Sequence, residues 1–365
     1  MIISGANKAL SVKPYLLVIL SLTLLLLTLF TIGNHPYFVE KWYARGLYPY
    51  ISHLFHSLLG WFPISLGDIL YVIIVLYLLY FTGRLIYKII CKKCRQLGVS
   101  LLKLVIGLQV FISAFYLLWG MNYSRPPASV LLNLTEFPYT LAQLTATTSL
   151  LIDSTNAKRA NLQTAYQQAT NSSIYTSAIK AVKHIGNKHQ ALQSYHPTAK
   201  PSLFTPLLNY MGTAGYFNPF TGEAQVNYSM PLVNQPVTAC HEMAHQMGFA
   251  REDEANFIGF LAGINSTDRL LQYSAYYLAM EEFLHQVRQR DTVLFHQLKT
   301  RITQHVKQDM KADQKYWLYY QSKAGYVTGL FYDQFLKVNK QPEGLRTYNR
   351  MIKLTLAYYK RQRRF

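Results

Sequence analysis

The chain has 365 residues, of which half are hydrophobic and only 15% are charged, a balance that favours an integral membrane protein over a soluble one. Its 36 basic and 17 acidic residues give a formal net charge of +19. Because no basic module interleaved with aromatic residues stands out, we expect no nucleic-acid partner, and the positive charge suits anionic lipid headgroups instead.

Three apolar stretches predict transmembrane helices, at about residues 15–32, 66–83 and 101–119. The first follows Lys8 and Lys13, and no small-x-small cleavage site comes after it. We therefore interpret it as a spanning helix rather than a cleaved signal peptide. The chain is predicted to divide into a three-span membrane anchor at 1–120 and a domain at 121–365.

The loop between the second and third spans predicts the orientation. The segment from Arg84 to Lys103 is rich in basic residues and has no acidic one. Short loops of this kind stay in the cytoplasm, whereas long domains cross the membrane largely regardless of their charge. The domain after Gly120 is therefore expected to lie outside the cytoplasm.

The segment between the first two spans, Asn34 to Ser65, is expected to be a loop, because it contains Pro36, Pro63 and many aromatic residues. It would lie on the outer side of the bilayer, where Trp and Tyr suit the membrane interface. Three of its residues are interpreted as interfacial or solvated histidines rather than as a metal cluster: His35, His53 and His56.

The domain is predicted to be mainly helical, with a small β element. Helical periodicity favours helices at about residues 140–168, 177–193, 269–287, 301–320, 327–338 and 348–360. Between them, turn signals at Asn218-Pro219 and Thr221-Gly222 flank short strand-like runs and predict a hairpin. Glu223 to Tyr228 is the predicted edge strand, where an extended substrate could pair by β-addition. An ordinary structural hairpin would give the same pattern.

An HExxH motif, His241 to His245, follows the hairpin. On a helix, residues four apart share one face, so His241 and His245 can offer two imidazoles to one ion. Glu242 is placed beside them to act as a general base. Zinc suits this ligand set, and a catalytic zinc site takes three protein ligands and keeps one position open.

The sequence around the motif predicts two consecutive helices. Pro236 fits the first turn of the first helix, Asn234 could cap that helix, and Gly248 is placed to end it. The acidic residues after Arg251 favour the start of a second helix that reaches about Leu261.

The third ligand is expected from this second helix. Glu252 shares a face with small residues that let a neighbouring helix approach closely, whereas Glu254 shares its face with apolar core residues. We therefore favour Glu252 and keep Glu254 as the alternative. Glu281 and Glu282 are further acidic candidates, and Arg346 and Tyr348 are candidates for hydrogen bonding to an oxyanion.

Two resemblances carry further expectations. Glu252, Ala255 and Asn256 resemble the ExxA(D/N) helix that supplies the glutamate ligand in gluzincin-type metallopeptidases. The HExxHxxG part also resembles metzincins, but Arg251 stands where their third histidine would be. The whole chain resembles an uncharacterised family of bacterial inner-membrane proteins, a domain of unknown function numbered 3810. That resemblance implies a multi-pass inner-membrane protein with a periplasmic domain, a membrane-anchored metallopeptidase, but no known substrate.

We thus expect three N-terminal transmembrane helices followed by an α-rich, zincin-like metallopeptidase domain. Its predicted function is zinc-dependent hydrolysis of peptide bonds in a peptide or protein substrate outside the cytoplasm. The alternative is a non-catalytic membrane scaffold or sensor with a structural zinc site, although such a site would need no base at Glu242. The sequence does not predict the substrate or the oligomeric state.

Overall fold

A computed structural model describes residues 12–162, 166, 168–341 and 349–362. Most of these residues are helical. The helices that precede the metal motif are α1 (Lys13–Ile32), α2 (Pro36–Phe38), α3 (Tyr48–Leu59), α4 (Leu66–Ile90), α5 (Cys94–Leu118), α6 (Ala128–Leu131), α7 (Leu141–Ala160), α8 (Asn171–Lys188) and α9 (Thr205–Met211). Those that follow are α10 (Gln235–Gln246), α11 (Glu252–Ile264), α12 (Arg269–Arg290), α13 (Thr292–Thr300), α14 (Gln304–Tyr320), α15 (Lys323–Val338) and α16 (Asn349–Arg361).

Three helices, α1, α4 and α5, are long and apolar enough to cross a membrane, and they coincide with the three predicted spans. Helix α5 packs against both α1 and α4. The helices α4 and α5 extend further than the predicted spans, so the basic region between them is mostly helical. Only the turn Cys91–Lys93 separates them.

The segment between the first two spans was predicted to be a loop, and this prediction is wrong. It forms α2, a π-helical stretch (Val39–Leu47) and α3. Proline is tolerated in the first turn of a helix, so Pro36 and Pro49 start α2 and α3 rather than breaking them. The buried residues of this segment pack against the end of α5 and the chain that follows it, in a cluster that includes Val39, Tyr43, Tyr48, Trp119 and Tyr123.

The same packing corrects the interpretation of one histidine. His56 is buried, with Nδ1 2.8 Å from the carbonyl oxygen of Tyr195 and Nε2 3.2 Å from that of Gly222. His35 and His53 are exposed, as expected. His56 therefore joins α3 to the domain and is not solvated.

The sheet has three short strands, β1 (Ala199–Pro201), β2 (Gly215–Asn218) and β3 (Glu223–Val226), in the order β1-β3-β2. β1 runs parallel to β3, and β2 pairs antiparallel with it as the predicted hairpin. Glu223 to Tyr228 was predicted to be the edge strand, and this is wrong. β1 had no strand signal in the sequence, and it occupies the second side of β3. The edge strand of the hairpin is β2.

Hydrogen bonds join this sheet to the start of the second span. The carboxylate of Glu223 accepts from the backbone N–H groups of Leu66 and Gly67, at 3.2 and 2.5 Å, and so satisfies two donors at the N-terminus of α4. Asp68, in the first turn of α4, accepts from the hydroxyl of Tyr216 on β2. The hairpin and the membrane anchor are therefore connected directly.

The core of the domain surrounds α10 and α11. Helix α10 packs against α8, α11 and β3, and α12 packs against α7 and α11. The predicted helices are present with shifted ends: the first ends at Ala160, the second is Asn171–Lys188, and the region 301–320 begins its helix only at Gln304. The largest fully buried side chains of this core are aromatic: Phe249, Phe257, Phe260, Tyr273, Phe283 and Tyr359.

Candidate metal centre

Helix α10 carries the HExxH motif through the middle of the core. Pro236 lies in its first turn, as expected. Gly248 ends it with φ of +81°, a left-handed conformation that glycine adopts without strain. The predicted cap is wrong in detail: Asn234 precedes the helix, but its side chain donates to Asp313 at 2.7 Å instead of capping α10.

Helix α11 approaches α10 closely through a glycine. A Cβ atom at Gly259 would lie 3.2 Å from both the backbone nitrogen of His241 and the carbonyl oxygen of Val237. Only a glycine fits such an approach easily, which is the role expected of the small residues on this face. The start of α11, with Glu252, is thereby held beside the two histidines.

Three side chains converge between the two helices. Nε2 of His241 lies 3.2 Å from Nε2 of His245 and 3.2 Å from Oε2 of Glu252. Nε2 of His245 lies 3.6 Å from Oε1 of Glu252. These three residues form a group whose ligand atoms all lie close enough to hold one metal ion.

The hydrogen bonds of the outer ring nitrogens define which atoms face inward. Nδ1 of His245 is 2.7 Å from the carbonyl oxygen of Phe249, which can only accept, so that nitrogen carries the proton. Nδ1 of His241 is 2.7 Å from Oδ1 of Asn256 in the same way. In the neutral rings both Nε2 lone pairs then point at each other and at a carboxylate. A cation between them relieves this repulsion, and such outer partners are typical of metal-binding histidines.

The spacing of the three groups also fits an ion. Ligand atoms about 2.1 Å from a tetrahedral metal lie about 3.4 Å from one another. The three measured separations, 3.2, 3.2 and 3.6 Å, scatter around that value. Glu254, the alternative third ligand, lies elsewhere, since its Oε1 accepts from the backbone N–H of Ala128 at 2.9 Å and from Arg251 at 3.1 Å. The geometry thus favours Glu252.

The Glu242 side chain is buried beside this cluster. Its Oε2 has no hydrogen-bond partner among the described residues. The carboxyl lies against β2, where a Cβ atom at Gly215 would come within 2.9 Å of Oε1. Burial, together with the nearby charge of Glu252 and against the attraction of His241, raises the pKa of Glu242 to about 8.

The pKa values of the other three groups are shifted in different directions. Burial opposes the charge of His241, but Glu252 and Glu242 raise its pKa to about 9. Burial lowers the pKa of His245 to about 4. Burial also opposes the charge of Glu252, but the histidines lower its pKa to about 2. Without a metal, the cluster therefore takes up a proton on His241.

Sequence reasoning missed a tyrosine at this site. The hydroxyl of Tyr332, on α15, donates to Oε1 of Glu252 at 2.5 Å. This bond holds Oε1, the carboxylate oxygen that lies 3.6 Å from Nε2 of His245. Nothing local signals it, because α15 carries no motif and is about 80 residues away in the chain. The candidates Arg346 and Tyr348 lie outside the described residues.

The end of α10 is held by residues from the anchor and from the first residues of the domain. Tyr48 donates to the carbonyl oxygen of Gln246 at 2.8 Å, and the indole N–H of Trp119 donates to that of His245 at 2.9 Å. Arg125 donates to the carbonyl oxygens of Met247 and Gly248, both at 3.0 Å. Side chains from α3, from the C-terminal end of α5 and from the segment that follows α5 thus satisfy the last carbonyl groups of the helix that carries both histidines.

The cluster opens into a cavity of about 1150 Å³. Of the two further acidic candidates, Glu282 lines this cavity, whereas Glu281 does not. Burial raises the pKa of both carboxyls to about 7. Neither belongs to the group of residues that could hold the metal.

Comparison with known proteins places the chain in one family. The family described as "Protein of unknown function (DUF3810)" matches residues 43–356, so the chain belongs to this family, as the sequence indicated. The match includes the candidate metal centre and the second and third spans. No curated protein and no solved structure matches the chain.

Proposed function

We propose that this member of the family is a membrane-anchored, zinc-dependent metallopeptidase with a zincin-like domain. His241, His245 and Glu252 are the proposed ligands, and Glu242 is the proposed general base. The observation that carries the proposal is the convergence of three ligand atoms beside a buried carboxyl, one of whose oxygens has no partner among the described residues. Zinc is chosen because two imidazoles and one carboxylate are a ligand set that it prefers.

In this proposal, a bound zinc ion would supply Lewis acidity, which polarises a carbonyl group and makes water nucleophilic near neutral pH. Glu242 accepts the proton of the attacking water as the oxygen joins the scissile carbonyl carbon. It then gives that proton to the leaving amine as the C–N bond breaks. Positive charge at the ligands favours the carboxylate form of Glu242, the form that is needed to accept the proton.

The edge strand β2 supports peptides as the substrate class. Within the described residues β2 pairs only with β3, so its other edge can take an extended peptide by β-addition. Gly215 of this strand lies directly against Glu242. A peptide paired there would bring its backbone beside the proposed base. The alternative, a scaffold with a structural metal, gives no role to an unpaired carboxyl at this position.

We also propose that the protein lies in a bacterial inner membrane with the metal centre on the periplasmic side. The support is the short basic connection between α4 and α5, since such connections stay in the cytoplasm. Reporters fused at Lys93 should score cytoplasmic, and those fused after Arg125 should score extracytoplasmic. A cytoplasmic signal from the second fusion would reverse the orientation.

The peptidase proposal is tested on the full-length protein in vesicles with quenched peptides of mixed sequence. The expected result is cleavage that disappears when a chelator removes the metal and returns when zinc is added back. Cleavage that survives complete removal of the metal would contradict the proposal. Retention of zinc without cleavage of any peptide would favour the scaffold instead.

A further inference from the structure

The cavity in front of the metal cluster is built partly from the spanning helices. Phe30 of α1, Tyr71 of α4 and Ile112 of α5 all line it. Each lies near the end of its helix that meets the domain. Phe111 also lines the cavity, and it lies about 10 Å before the end of α5 at Leu118, given a rise of about 1.5 Å per residue. The cavity therefore extends into the apolar part of the anchor.

One wall of the cavity, helix α15, also carries apolar side chains that are exposed. The helix lines the cavity with Tyr332 and Phe335. Phe331 shares this face with Phe335 at helical spacing and is 75% exposed, whereas the opposite face carries the ion pair of Lys337 with Asp333 at 2.6 Å. An exposed aromatic side chain at the margin of an apolar cavity suits a position beside lipid.

The charges of the cavity indicate what it excludes. Its described lining includes no lysine and no arginine, and its acidic residues are Glu242, Glu252 and Glu282. Phosphate groups are usually bound by arginine, lysine or backbone N–H groups. Phospholipid headgroups and acidic peptides therefore fit poorly. A neutral, apolar chain fits well, because most of the other lining side chains are apolar or aromatic.

The edge strand selects the conformation of that chain. The residues from Ala214 to Phe217, which include most of β2, line the cavity. A helix already uses its backbone hydrogen bonds internally and cannot pair with a strand, whereas an extended peptide can. Phe217 itself lies beside both Trp119 and His245, with ring centroids 5.0 and 6.4 Å away. An extended peptide along β2 would reach the metal centre with its side chains in the apolar cavity.

We infer that the substrate is an apolar peptide segment that comes from the membrane, lies extended along β2 and places its apolar side chains in this cavity. This inference rests on the proposed peptidase function and specifies its substrate class. The segment would be the end of a membrane-spanning or membrane-inserted sequence that has left the helical state, because a spanning helix could not pair with the strand.

The first test compares two quenched peptides in vesicles that contain the full-length protein. Both share one mixed-sequence centre; one has an uncharged Leu/Ala tail of about 20 residues, which inserts into the bilayer, and the other has a polar tail of equal length. Ile112→Trp fills the cavity, and Val110→Trp, at an exposed position of the same helix outside the cavity, is the matched control. The metal content of each variant shows whether it is folded.

We expect Ile112→Trp to lower the ratio of tailed-peptide to polar-peptide cleavage by about fivefold or more, and Val110→Trp to leave this ratio at the parent value. We compare the ratio between variants because insertion of the tail into the bilayer concentrates the tailed peptide near every variant to the same extent. An equal ratio in both variants would overturn the inference while leaving the peptidase proposal standing.

The second test detects the occupant without catalysis. A photoreactive amino acid replaces Leu207, which lines the cavity, or Leu203, which does not; the two side chains are 53% and 52% exposed. In the Glu242→Gln background, the tailed peptide should cross-link at position 207 and not at position 203. Cross-linking at position 207 without any cleavage by the parent would show that the cavity binds the apolar peptide segment, and it would overturn the peptidase proposal.

A third probe separates a peptide segment from a lipid chain. This probe is the polar peptide with a palmitoyl chain attached, so that an acyl chain takes the role of the Leu/Ala tail. If this probe cross-links at position 207 and is cleaved as fast as the tailed peptide, the cavity accepts an acyl chain, and the inference of an apolar peptide segment is overturned. Failure of both probes to cross-link at position 207 would also overturn it.

Discussion

The metal cluster and the junction that holds the end of α10 lie side by side but are assembled differently. The cluster takes its three candidate ligands from two consecutive helices, between His241 and Glu252. The junction takes its hydrogen-bond donors from distant parts of the chain, and Tyr48 lies 198 residues from its acceptor, Gln246. A local motif therefore supplies the candidate ligands, and long-range contacts, which include Tyr48 of the anchor, fix the position of the helix that carries the two histidines.

The two regions differ in whether their charged and polar groups are already paired. In the cluster, lone pairs and carboxylates converge and leave positive charge to be supplied from outside. In the junction, charges are already paired: Arg125 bonds to Glu40 at 2.7 Å and also to two carbonyl groups of the α10 end. The first region could hold a metal ion, whereas the second fixes the end of α10 by hydrogen bonds. Each can be tested by removing one partner.

The largest expected effect is at the third ligand. Glu252→Ala should weaken metal retention by about tenfold to hundredfold or more, as the loss of groups at metal sites typically does. Glu254→Ala is the matched control, because that carboxylate bonds to Ala128 and Arg251 instead of facing the histidines. Metal content after dialysis is the measurement. Loss of metal from the Glu254 variant with retention in the Glu252 variant would reverse the ligand assignment.

The next effect is at the junction. Arg125→Ala should lower the stability of the domain by up to about 3–5 kcal/mol, because it removes the buried partner of Glu40 and leaves only the more exposed Arg45. Arg301→Ala removes an exposed ion pair with Asp153 and should cost about 0–1 kcal/mol. Thermal unfolding in detergent compares the two variants. Equal unfolding temperatures would show that the junction contributes no more than a surface pair.

The smallest effect is a pH dependence at the same pair. Burial would raise the pKa of Glu40, but Arg125 and Arg45 lower it below its ordinary value of 4.5. Because the unfolded chain then binds this proton more readily, the stabilisation is present above about pH 4.5 and is lost as the pH falls through the folded pKa. The difference in unfolding temperature between the parent and Glu40→Gln should shrink below that pH. A difference that stays constant on acidification would contradict this.

The sequence could predict the local region but not the distant contacts. Helical spacing, the glycine stop at Gly248 and the small face of α11 predicted the pairing of the histidines with Glu252. Hydropathy alone predicted the three spans. No periodicity could show that Tyr332 would bond to Glu252, or that a strand as short as β1 would make β3 central, because these pairings depend on tertiary packing. The segment between the first two spans was mistaken for a loop because its prolines lie at helix starts.

The central claim is that His241, His245 and Glu252 hold an ion beside a working base. The most direct measurement compares parent and Glu242→Gln for metal content and for peptide cleavage in the same vesicles. Because glutamine keeps the size of the side chain and removes its basicity, the variant should hold as much zinc as the parent and cleave about 10²–10⁴-fold more slowly. Equal cleavage by the two proteins at equal metal content would contradict the account.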